Sequence, residues 1–394
     1  MRIFIVQSHL GGGGAERVGV LLASGFAARG DDVYIVTNLH DAIDYEVDTK
    51  VRILNMVSSP QNKVDKWLGA FRHLRSYVKR YNPDVVIGIM QLNSFVSRVA
   101  CVGTNTHVIM TEHGTFQRPK SAPFSKFNYF CKFYLNKIYE CITVITQADK
   151  DYIGNRLKNI VVMPNPLLLP QVTKMPSKQR IVLAAGRLDD WHYKGFDVLI
   201  RAWALVNGKL RIDNGQLSYK GESWKLQIAG MGSEKSLNYL KQLCRENGVE
   251  NSVEFLGFRK DVEKLYQEAS IFALSIRYEG FGLVLIEAMS QGCACIACDY
   301  KGRQREILNP AQNQSLETRN LNLETRNRKF EACDSGILCE PDDVESLAAG
   351  IQKMIEDDEY RESVRAKAIE RSKYYSIENT VDRWELLLNK VVKR

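Results

Sequence analysis

Residues 279–287 read Glu-Gly-Phe-Gly-Leu-Val-Leu-Ile-Glu, so two carboxylates stand eight positions apart on either side of a glycine-rich turn. The apolar run 270–275 before the turn has the length and character of a buried parallel strand, and residues 283–290 after it favour a helix. A strand, a glycine-rich turn and a helix in this order are typical of an α/β unit on a parallel sheet. The stretch therefore indicates the fold class and, at its turn, a candidate site.

The same turn predicts an anion site. The first peptide N–H groups of a helix have no intrahelical partner and carry partial positive charge, which suits a phosphate. Gly280 and Gly282 allow a ligand to approach the backbone closely. Glu279 precedes the helix and Glu287 lies just over one helical turn inside it, where a carboxylate can reach hydroxyl groups beside the anion. The pattern favours a ligand such as a sugar nucleotide, and two solvated glutamates on an ordinary strand–helix connection are the alternative.

The length and composition predict a two-domain globular protein. A chain of 394 residues exceeds the size of about 250–300 residues at which single cores usually stop growing. Hydrophobic residues make up 45% and charged residues 25%, as in soluble proteins. No apolar run approaches the roughly 18 residues of a transmembrane helix, and the apolar stretch in residues 1–8 is too short for a signal peptide. We therefore expect a first strand at the amino terminus and a cytoplasmic location.

The nine cysteines are expected to be reduced and buried, because their number is odd and several lie inside apolar segments. Cys295 and Cys298 have the C-x-x-C spacing of a metal site. No second Cys or His pair follows at zinc-site spacing, and the alternation around them is that of a buried strand. We therefore expect no metal.

The net charge of +8 is concentrated in the first part of the chain. Residues 1–172 hold 20 Lys and Arg against 13 Asp and Glu, whereas the remainder holds 34 against 33. A basic half of this kind could meet nucleic acid, an anionic membrane surface or a phosphorylated substrate.

Short β-like apolar runs alternate with helical patterns along the whole chain, which predicts two doubly wound domains with parallel sheets. The proline cluster at 164–176 interrupts this pattern, so we expect one Rossmann-like domain over 1–168 and a second over 176–375, with a terminal helix over 376–394 that returns to the first domain. In open sheets of this type ligands lie beyond the carboxyl ends of the strands. The predicted strands are 3–6, 33–37, 51–54, 85–89, 108–111, 142–146, 160–163, 181–185, 225–229, 253–256, 271–275 and 294–297.

A second glycine-rich loop, residues 11–14, follows the first predicted strand and opens a helix. Its N–H groups could also hold a phosphate, as in a nicotinamide-binding fold. The full G-x-G-x-x-G pattern is missing because position 16 is Glu, and the strand at 33–37 ends without the acidic residue expected to hold a ribose. A dehydrogenase is therefore disfavoured.

Two cations stand near the predicted strand 181–185. Arg187 follows the strand directly, and Lys194 with Gly195 is expected to open the next helix. Arg offers a forked donor and Lys a point charge, which together suit a diphosphate leaving group. Cations at the end of a strand are more often solvated, so the prediction depends on their sharing a domain with the turn at Glu279.

Together these segments resemble the retaining family-4 glycosyltransferases of the GT-B fold. The resemblance covers nearly the whole chain in the family's order, and its second half is the more specific part. It implies two Rossmann-like doubly wound domains facing across a cleft, a nucleotide-sugar donor held mainly by the second and an acceptor bound mainly by the first. No metal or other cofactor is implied. The matching segments are 13–17, 186–187 with 194–195, 230–232, 255–257 and 279–287.

The resemblance also implies roles for individual residues. Arg187 and Lys194 would stabilise the donor diphosphate, Glu287 would hold the ribose hydroxyls, and Glu279 would contact the transferred sugar. His113, two residues after a predicted strand, matches the position of an active-site histidine, although a lone histidine is more often structural. The implied catalytic set is Glu279, His113, Arg187 and Lys194, and the implied donor-binding set is Gly13, Gly14, Arg187, Lys194, Gly257, Phe258, Glu279, Gly280, Phe281, Gly282, Leu283, Val284 and Glu287.

Retention in this family implies same-face attack, in which catalysis rests on orientation and on stabilising the departing phosphate.

One segment departs from the family: residues 301–306 replace a Gly-Gly-Pro-type turn, and the polar stretch 309–330 that follows reads as a surface insertion with a local duplication.

The acceptor side is predicted from charge and aromatic content. Residues 116–140 hold five Lys or Arg, one acid and eight Phe or Tyr. This composition is equally compatible with a segment that docks on an anionic membrane and with a helix that packs in the domain and leaves its lysines in solvent. We expect a cytoplasmic, peripheral-membrane enzyme that moves a hexose or N-acetylhexosamine from a UDP-linked sugar to a glycan or lipid-diphosphate-linked acceptor in surface polysaccharide biosynthesis. Nucleic acid is not expected, since no recognised module is present. A sugar-nucleotide hydrolase or epimerase and a non-catalytic sugar-nucleotide-binding subunit are the alternatives.

Overall fold

The chain folds into two compact units, Met1–Leu168 with Tyr375–Arg394 and Leu169–Tyr374. The structure is a computed structural model. It describes residues 1–11, 13–39, 45–56, 63–119, 121, 123–209, 212–213, 216–219, 222–308 and 329–393, with side chains described for these except 63–67, 209, 212–213, 216–219 and 222.

The first unit contains a seven-stranded sheet in the order β3-β2-β1-β4-β5-β6-β7. Every pair of neighbouring strands is parallel, as the alternation of strands and helices predicts. The strands are β1 (Arg2–Val6), β2 (Asp32–Thr37), β3 (Arg52–Asn55), β4 (Val85–Ile89), β5 (His107–Thr111), β6 (Cys141–Val144) and β7 (Ile160–Val162). The helices are α1 (Gly14–Ala28), α2 (Lys63–Tyr81), α3 (Met90–Ala100), α4 (Lys126–Phe133), α5 (Gln147–Ile153) and α14 (Ile377–Val392).

The central strand β1 is buried on both faces because its apolar side chains alternate between two cores. Ile3 and Ile5 pack with α1 and α14, whereas Phe4 and Val6 pack against residues of α2 and α3 on the opposite face. A strand covered by helices on both sides must be apolar at every position, which explains the continuous run of hydrophobic residues at the amino terminus.

The terminal helix α14 belongs to this first unit. Its buried residues Val381, Trp384 and Leu388 recur at helical spacing and join the core that also contains Phe26 of α1. The rings of Phe26 and Trp384 meet edge to face, with centroids 6.4 Å apart and planes at 90°.

The second unit contains a seven-stranded sheet in the order β13-β12-β8-β14-β15-β17-β16. The strands of this unit are β8 (Gln179–Ala185), β9 (Ile212–Asp213), β10 (Gln216–Tyr219), β11 (Glu222–Ser223), β12 (Lys225–Ala229), β13 (Val253–Gly257), β14 (Ala269–Leu274), β15 (Ala294–Cys298), β16 (Glu331–Cys333) and β17 (Gly336–Cys339). Its helices are α6 (Trp191–Lys194), α7 (Phe196–Lys209), α8 (Glu234–Glu246), α9 (Val262–Glu268), α10 (Leu283–Ser290), α11 (Arg303–Leu308), α12 (Val344–Glu356) and α13 (Asp358–Ser372).

All twelve strands proposed from apolar runs are found, and the α/β fold class with two parallel-sheet domains is confirmed. The structure adds an antiparallel edge strand, because β16 and β17 form a hairpin through Asp334 and Ser335. It also adds a small antiparallel sheet of β9, β10 and β11. These strands have two to four residues, too few for a hydrophobic period to be recognised.

The structure confirms the cysteine prediction: all nine thiols are free and buried. Within the described residues, no helix is long and apolar enough to cross a bilayer. Most of the proposed insertion at 309–330 lies outside the described residues, so its expected surface position stays a prediction.

Replacing Trp384 by Ala is expected to lower the free energy of unfolding of the first unit by about 3–5 kcal/mol, because a large side chain is removed from the core beneath α1. Urea unfolding measures the effect. Leu386→Ala on the same helix is the matched control, since Leu386 is 74% exposed and its loss should cost less than about 0.5 kcal/mol. Equal effects of the two variants would contradict the packing of α14.

Candidate functional site

The topology of the second unit brings two loops to one edge of the sheet. Strand β8 lies between β12 and β14 and is parallel to both, so the loops that leave β8 and β14 start side by side. The chain order reverses at β8, which makes this a topological switch point, the usual place for a ligand in an open α/β sheet. The loop after β8 carries Arg187 and Lys194, and the loop after β14 carries Glu279.

The glycine-rich turn after β14 leaves the amino terminus of α10 without a side-chain cap. Gly282 is the N-cap residue with φ of 91°, a left-handed conformation that glycine adopts at little cost. Phe281 is buried, and its carbonyl accepts a hydrogen bond from Gln304 at 3.4 Å, which anchors the turn. The free N–H groups of Leu283 and Val284 at the start of α10 are therefore placed to meet an anion.

Glu279 and Lys194 form an ion pair at this turn. The Lys194 Nζ lies 2.5 Å from Glu279 Oε2, and Glu279 Oε1 accepts a hydrogen bond from the N–H of Gly280 at 3.0 Å. Both side chains keep about a quarter of their surface exposed, at 23% and 24%. The pair thus offers a cationic donor and an anionic acceptor to a ligand that carries both phosphate and hydroxyl groups.

Gly195 explains how Lys194 reaches this position. Its φ is 65°, and an added Cβ would lie 1.8 Å from the carbonyl oxygen of Ser275. The Ser275 hydroxyl donates a hydrogen bond to the carbonyl of Lys194 at 2.8 Å. The close backbone approach that only glycine permits holds the loop after β8 against the end of β14. The sequence predicted that Lys194 with Gly195 opens a helix. In the structure Lys194 is instead the last residue of the short helix α6, and Gly195 is its C-cap.

Arg277, which sequence reasoning missed, ties the surrounding elements together. Its guanidinium donates to both carboxylate oxygens of Asp197 at 2.7 and 2.9 Å and, through Nε, to Asp342 at 2.7 Å. Burial alone would raise the pKa of Asp197, but these hydrogen bonds from Arg277 outweigh burial and lower it. Asp197 lies in the first turn of α7, where the negative charge of a carboxylate interacts favourably with the helix dipole.

Glu287 lies on α10 with only 6% of its surface exposed. The Tyr266 hydroxyl donates a hydrogen bond to Glu287 Oε2 at 3.2 Å. Burial, reinforced by the nearby carboxylate, raises the pKa of Tyr266 well above its usual value, so the phenol stays a proton donor. Tyr266 thereby orients the carboxylate, a role that its position 21 residues before Glu287 did not reveal.

Arg187 and Phe258 are both exposed at strand ends. The Arg187 side chain is 82% exposed, and its Nε lies 3.6 Å from Asp190, so its ion pair is with its own loop and not with Glu279. Phe258 follows β13 and is 64% exposed. It comes directly after Gly257, whose carbonyl accepts a hydrogen bond from the N–H of Gly230 at 2.9 Å. The structure therefore joins Lys194 with Glu279 and leaves Arg187 and Phe258 as separate exposed groups.

In the first unit, the glycine-rich loop leads into α1. Gly13 is the N-cap residue and makes no side-chain cap, and Gly14 is the first helical residue. The Tyr45 hydroxyl donates to the Gly13 carbonyl at 2.9 Å. A Cβ added at Gly13 would lie 2.1 Å from the Glu16 carboxylate, so a larger residue there would displace that side chain. Gly12 lies outside the described residues.

His113 is held between two polar side chains of the same unit. Its Nδ1 lies 2.8 Å from Asn165 Oδ1 and its Nε2 lies 3.0 Å from Thr111 Oγ1. Burial lowers the pKa of His113 below its usual value, although Asn165, Glu112 and Glu16 act in the opposite direction. The ring is therefore neutral at pH 7, with one of its two nitrogens protonated. Sequence reasoning identified His113 but neither partner.

Among the described residues, no group of three or more His, Cys, Asp or Glu side chains could hold a metal ion. Cys295 and Cys298, the C-x-x-C pair, lie inside the buried strand β15.

Comparison with known proteins identifies the class. Residues 168–371 match the family described as Glycosyl transferases group 1, and residues 12–167 match Glycosyltransferase Family 4. The chain belongs to the glycosyl transferases group 1 family and is a glycosyltransferase of GT-B fold.

Relatives extend over the full chain. An uncharacterized glycosyltransferase of Haemophilus influenzae is 26% identical over 98% of this chain and 99% of its own length. An α-1,4-N-acetyl-D-galactosaminyltransferase of Campylobacter jejuni is 23% identical over 99% of both chains. Its name gives the glycolipid GalNAc-α-(1->4)-GalNAc-α-(1->3)-diNAcBac-PP-undecaprenol. The crystal structure of Anabaena HepE in complex with UDP has a TM-score of 0.72 at 17% identity and covers 99% of this chain and 100% of its own.

The depressed pKa of His113 predicts a pH dependence of stability. Because the folded protein holds this proton less tightly than the unfolded chain, lowering the pH through about 6.5 favours unfolding. Melting temperatures between about pH 7.5 and 5.5 should therefore fall more steeply for the wild type than for His113→Gln, which has no imidazole at this site. Identical slopes for the two proteins would contradict a neutral, buried His113.

Proposed function

We propose that this glycosyltransferase moves a hexose or N-acetylhexosamine, with retention of configuration, from a UDP-linked sugar to a lipid-diphosphate-linked glycan in surface polysaccharide biosynthesis. The observation that carries the proposal is the ion pair of Lys194 and Glu279 beside the uncapped start of α10. No resident metal or other cofactor is part of the proposal.

The donor diphosphate would be held by three kinds of positive group in the second unit. The N–H groups at the start of α10 would bind one phosphate, and Lys194 would bind the other when it leaves Glu279. Arg187, which is exposed and only loosely paired with Asp190, is free to turn its forked guanidinium towards the diphosphate. Such groups act most strongly as negative charge develops on the departing phosphate.

Two carboxylates would recognise the hydroxyl groups of the donor. Glu279, once released by Lys194, would accept hydrogen bonds from the transferred sugar. Glu287, oriented by Tyr266, would accept them from the ribose. Exposed Phe258 with Gly257 would contact the base. Specificity for hydroxyl groups would follow because a ligand without them would draw Lys194 away from Glu279 and give that carboxylate no new partner.

The first unit would supply further polar groups. The uncapped N–H groups after Gly13 and Gly14 would meet a phosphate oxygen. Neutral His113 would make hydrogen bonds near the reacting sugar. In the proposed transfer, the acceptor oxygen forms a bond to the anomeric carbon on the face from which the diphosphate leaves, the carbon–oxygen bond to the diphosphate breaks, and the acceptor proton passes to a phosphate oxygen. No protein nucleophile takes part, so catalysis rests on positioning and charge.

The relatives support the choice of substrates. The crystal structure of HepE contains UDP, although an identity of 17% shows only that the two proteins share a fold. The Campylobacter relative is named for an undecaprenol-diphosphate-linked glycan and transfers N-acetylgalactosamine. The excess of basic residues in 1–172 suits an acceptor that carries a diphosphate. Free thiols at all nine cysteines are consistent with action in the cytoplasm, where they stay reduced.

The donor site is tested by thermal shift of the purified protein against UDP-, GDP-, ADP- and TDP-sugars without metal. A UDP-sugar should raise the melting temperature, because it binds only the folded state. Glu287→Ala should abolish the shift and Tyr266→Phe should reduce it, whereas Glu246→Ala, an exposed carboxylate on α8, should leave it unchanged. A shift that survives in Glu287→Ala would contradict the assigned ribose contact, and a shift with another nucleotide alone would overturn the choice of UDP.

Arg187→Ala should lower the turnover number about 10²–10³-fold, because the charge is needed most as the phosphate departs. Its exposed side chain makes a folding defect unexpected, and Arg245→Ala on α8 controls for the loss of a surface arginine. The assay follows transfer from the UDP-sugar to a short-chain polyprenyl-diphosphate oligosaccharide. Unchanged turnover would contradict the role of Arg187, and sugar released from the donor with every acceptor untouched would indicate a hydrolase.

A further inference from the structure

Helix α4 contains a buried lysine. The Lys132 side chain is 9% exposed, whereas Lys126 at the start of the same helix is exposed. The Nζ atom of Lys132 lies 4.5 Å from the ring centroid of Phe116 and 5.1 Å from that of Phe124. Aromatic rings stabilise an ammonium group only in part, and a buried charge needs an ionic partner. The interpretation of residues 116–140 as a packed helix with solvated lysines is therefore wrong for Lys132.

Glu112, which directly follows β5, is the ionic partner of Lys132. Its Oε2 accepts a hydrogen bond from Lys132 Nζ, and only 3% of the Glu112 side chain is exposed. Its Oε1 accepts a hydrogen bond from the N–H of Gly114 at 3.0 Å. The N–H of Glu112 itself donates to the Thr143 carbonyl of β6 at 3.0 Å. Glu112 thus holds the chain on both sides of His113.

The carboxylate that holds the chain also acts on the imidazole. The negative charges of Glu112 and, from α1, Glu16 favour a protonated His113 ring, against the larger effect of burial. The Glu16 carboxylate lies 3.8 Å from His9 Nε2. Lys132 carries the opposite charge and contacts Glu112 directly, so it opposes the field of that carboxylate at the ring.

We propose that Lys132 is a positioning residue for His113: it neutralises Glu112, so that this carboxylate can hold the loop after β5 without charging the imidazole. The inference rests on the proposed function, in which His113 makes hydrogen bonds near the reacting sugar. A neutral imidazole can both donate and accept a hydrogen bond, whereas an imidazolium only donates. Neither Lys132 nor Glu112 touches the substrate, and both act through His113.

Titration of the imidazole C–H signals by NMR tests the inference without substrate. The protein has six histidines, and the signal of His113 is the one that His113→Gln lacks. Lys132→Gln keeps an amide donor for Glu112 but removes the cation, so the midpoint of His113 should rise above the wild-type value. Glu112→Gln leaves the cation unopposed, so the midpoint should fall below it. Lys126→Gln, which removes an exposed lysine from the same helix, should leave the midpoint unchanged.

The double variant Glu112→Gln/Lys132→Gln removes both charges together and should return the midpoint of His113 to the wild-type value, since no buried charge is left unpaired. Equal midpoints in the wild type and in both single variants would overturn the inference. If melting curves show that neither single variant folds, the wild type and the double variant decide. A wild-type midpoint at or above 6.5, the ordinary value for histidine, would overturn the inference, and a lower midpoint that the double variant keeps would support it.

The pH profile of turnover connects the pair to the reaction. Between about pH 8 and about pH 6.5, turnover should fall about threefold more in Lys132→Gln than in the wild type, because more of His113 is protonated. The double variant should follow the wild type. An equal loss at both pH values with an unmoved titration would mark the pair as structural and overturn the inference. A moved titration with an unchanged pH profile would support the effect of Lys132 on His113 and contradict instead the role of His113 in the proposed function.

Discussion

The parallel pairing of β8 with β14 is the constraint on which the site of the second unit depends. These strands are far apart in the chain, yet Val182 and Leu183 lie in register with Ile271 and Phe272. Parallel strands end at the same edge of a sheet, so the loops that carry Lys194 and Glu279 must start as neighbours. The approach of Gly195 to the Ser275 carbonyl then brings the loops into contact, and the ion pair follows.

The polar groups of this site are arranged so that their charges are satisfied before any ligand binds. Lys194 neutralises Glu279, Tyr266 donates to Glu287, and Arg277 neutralises Asp197. Pairs of this kind keep a half-buried site stable, since an unpaired buried charge is costly. The pairs differ in what they allow. Arg277 is bound by two carboxylates and is fixed, whereas Lys194 and Glu279 keep part of their surface in solvent and can exchange partners.

The fold could be predicted from the sequence because most strands are continuous apolar runs separated by helical patterns. The strand beginning at Ile3 and the one at Ile271 were visible in this way, since strands buried on both faces need apolar residues at every position. The strands that escaped prediction, β9 to β11 and the β16–β17 hairpin, are too short to show a period. Among site residues, the glutamates at the glycine-rich turn were recognisable by local spacing, whereas Tyr266, Arg277 and Asn165 were not.

The sequence by itself determined the alternation of strands and helices, the glycine-rich turns that precede α1 and α10, and the identity of the charged groups beside them. These features depend on neighbours within about ten residues, where backbone propensity and hydrophobic period act. Only the tertiary structure decided which groups meet. Lys194 pairs with Glu279, Asn165 holds His113, and Leu92 of α3 is exposed whereas Val96 is buried. Each of these outcomes depends on packing between segments distant in the chain. A helical period shows that a helix has two faces, but the strand it covers decides which face is buried.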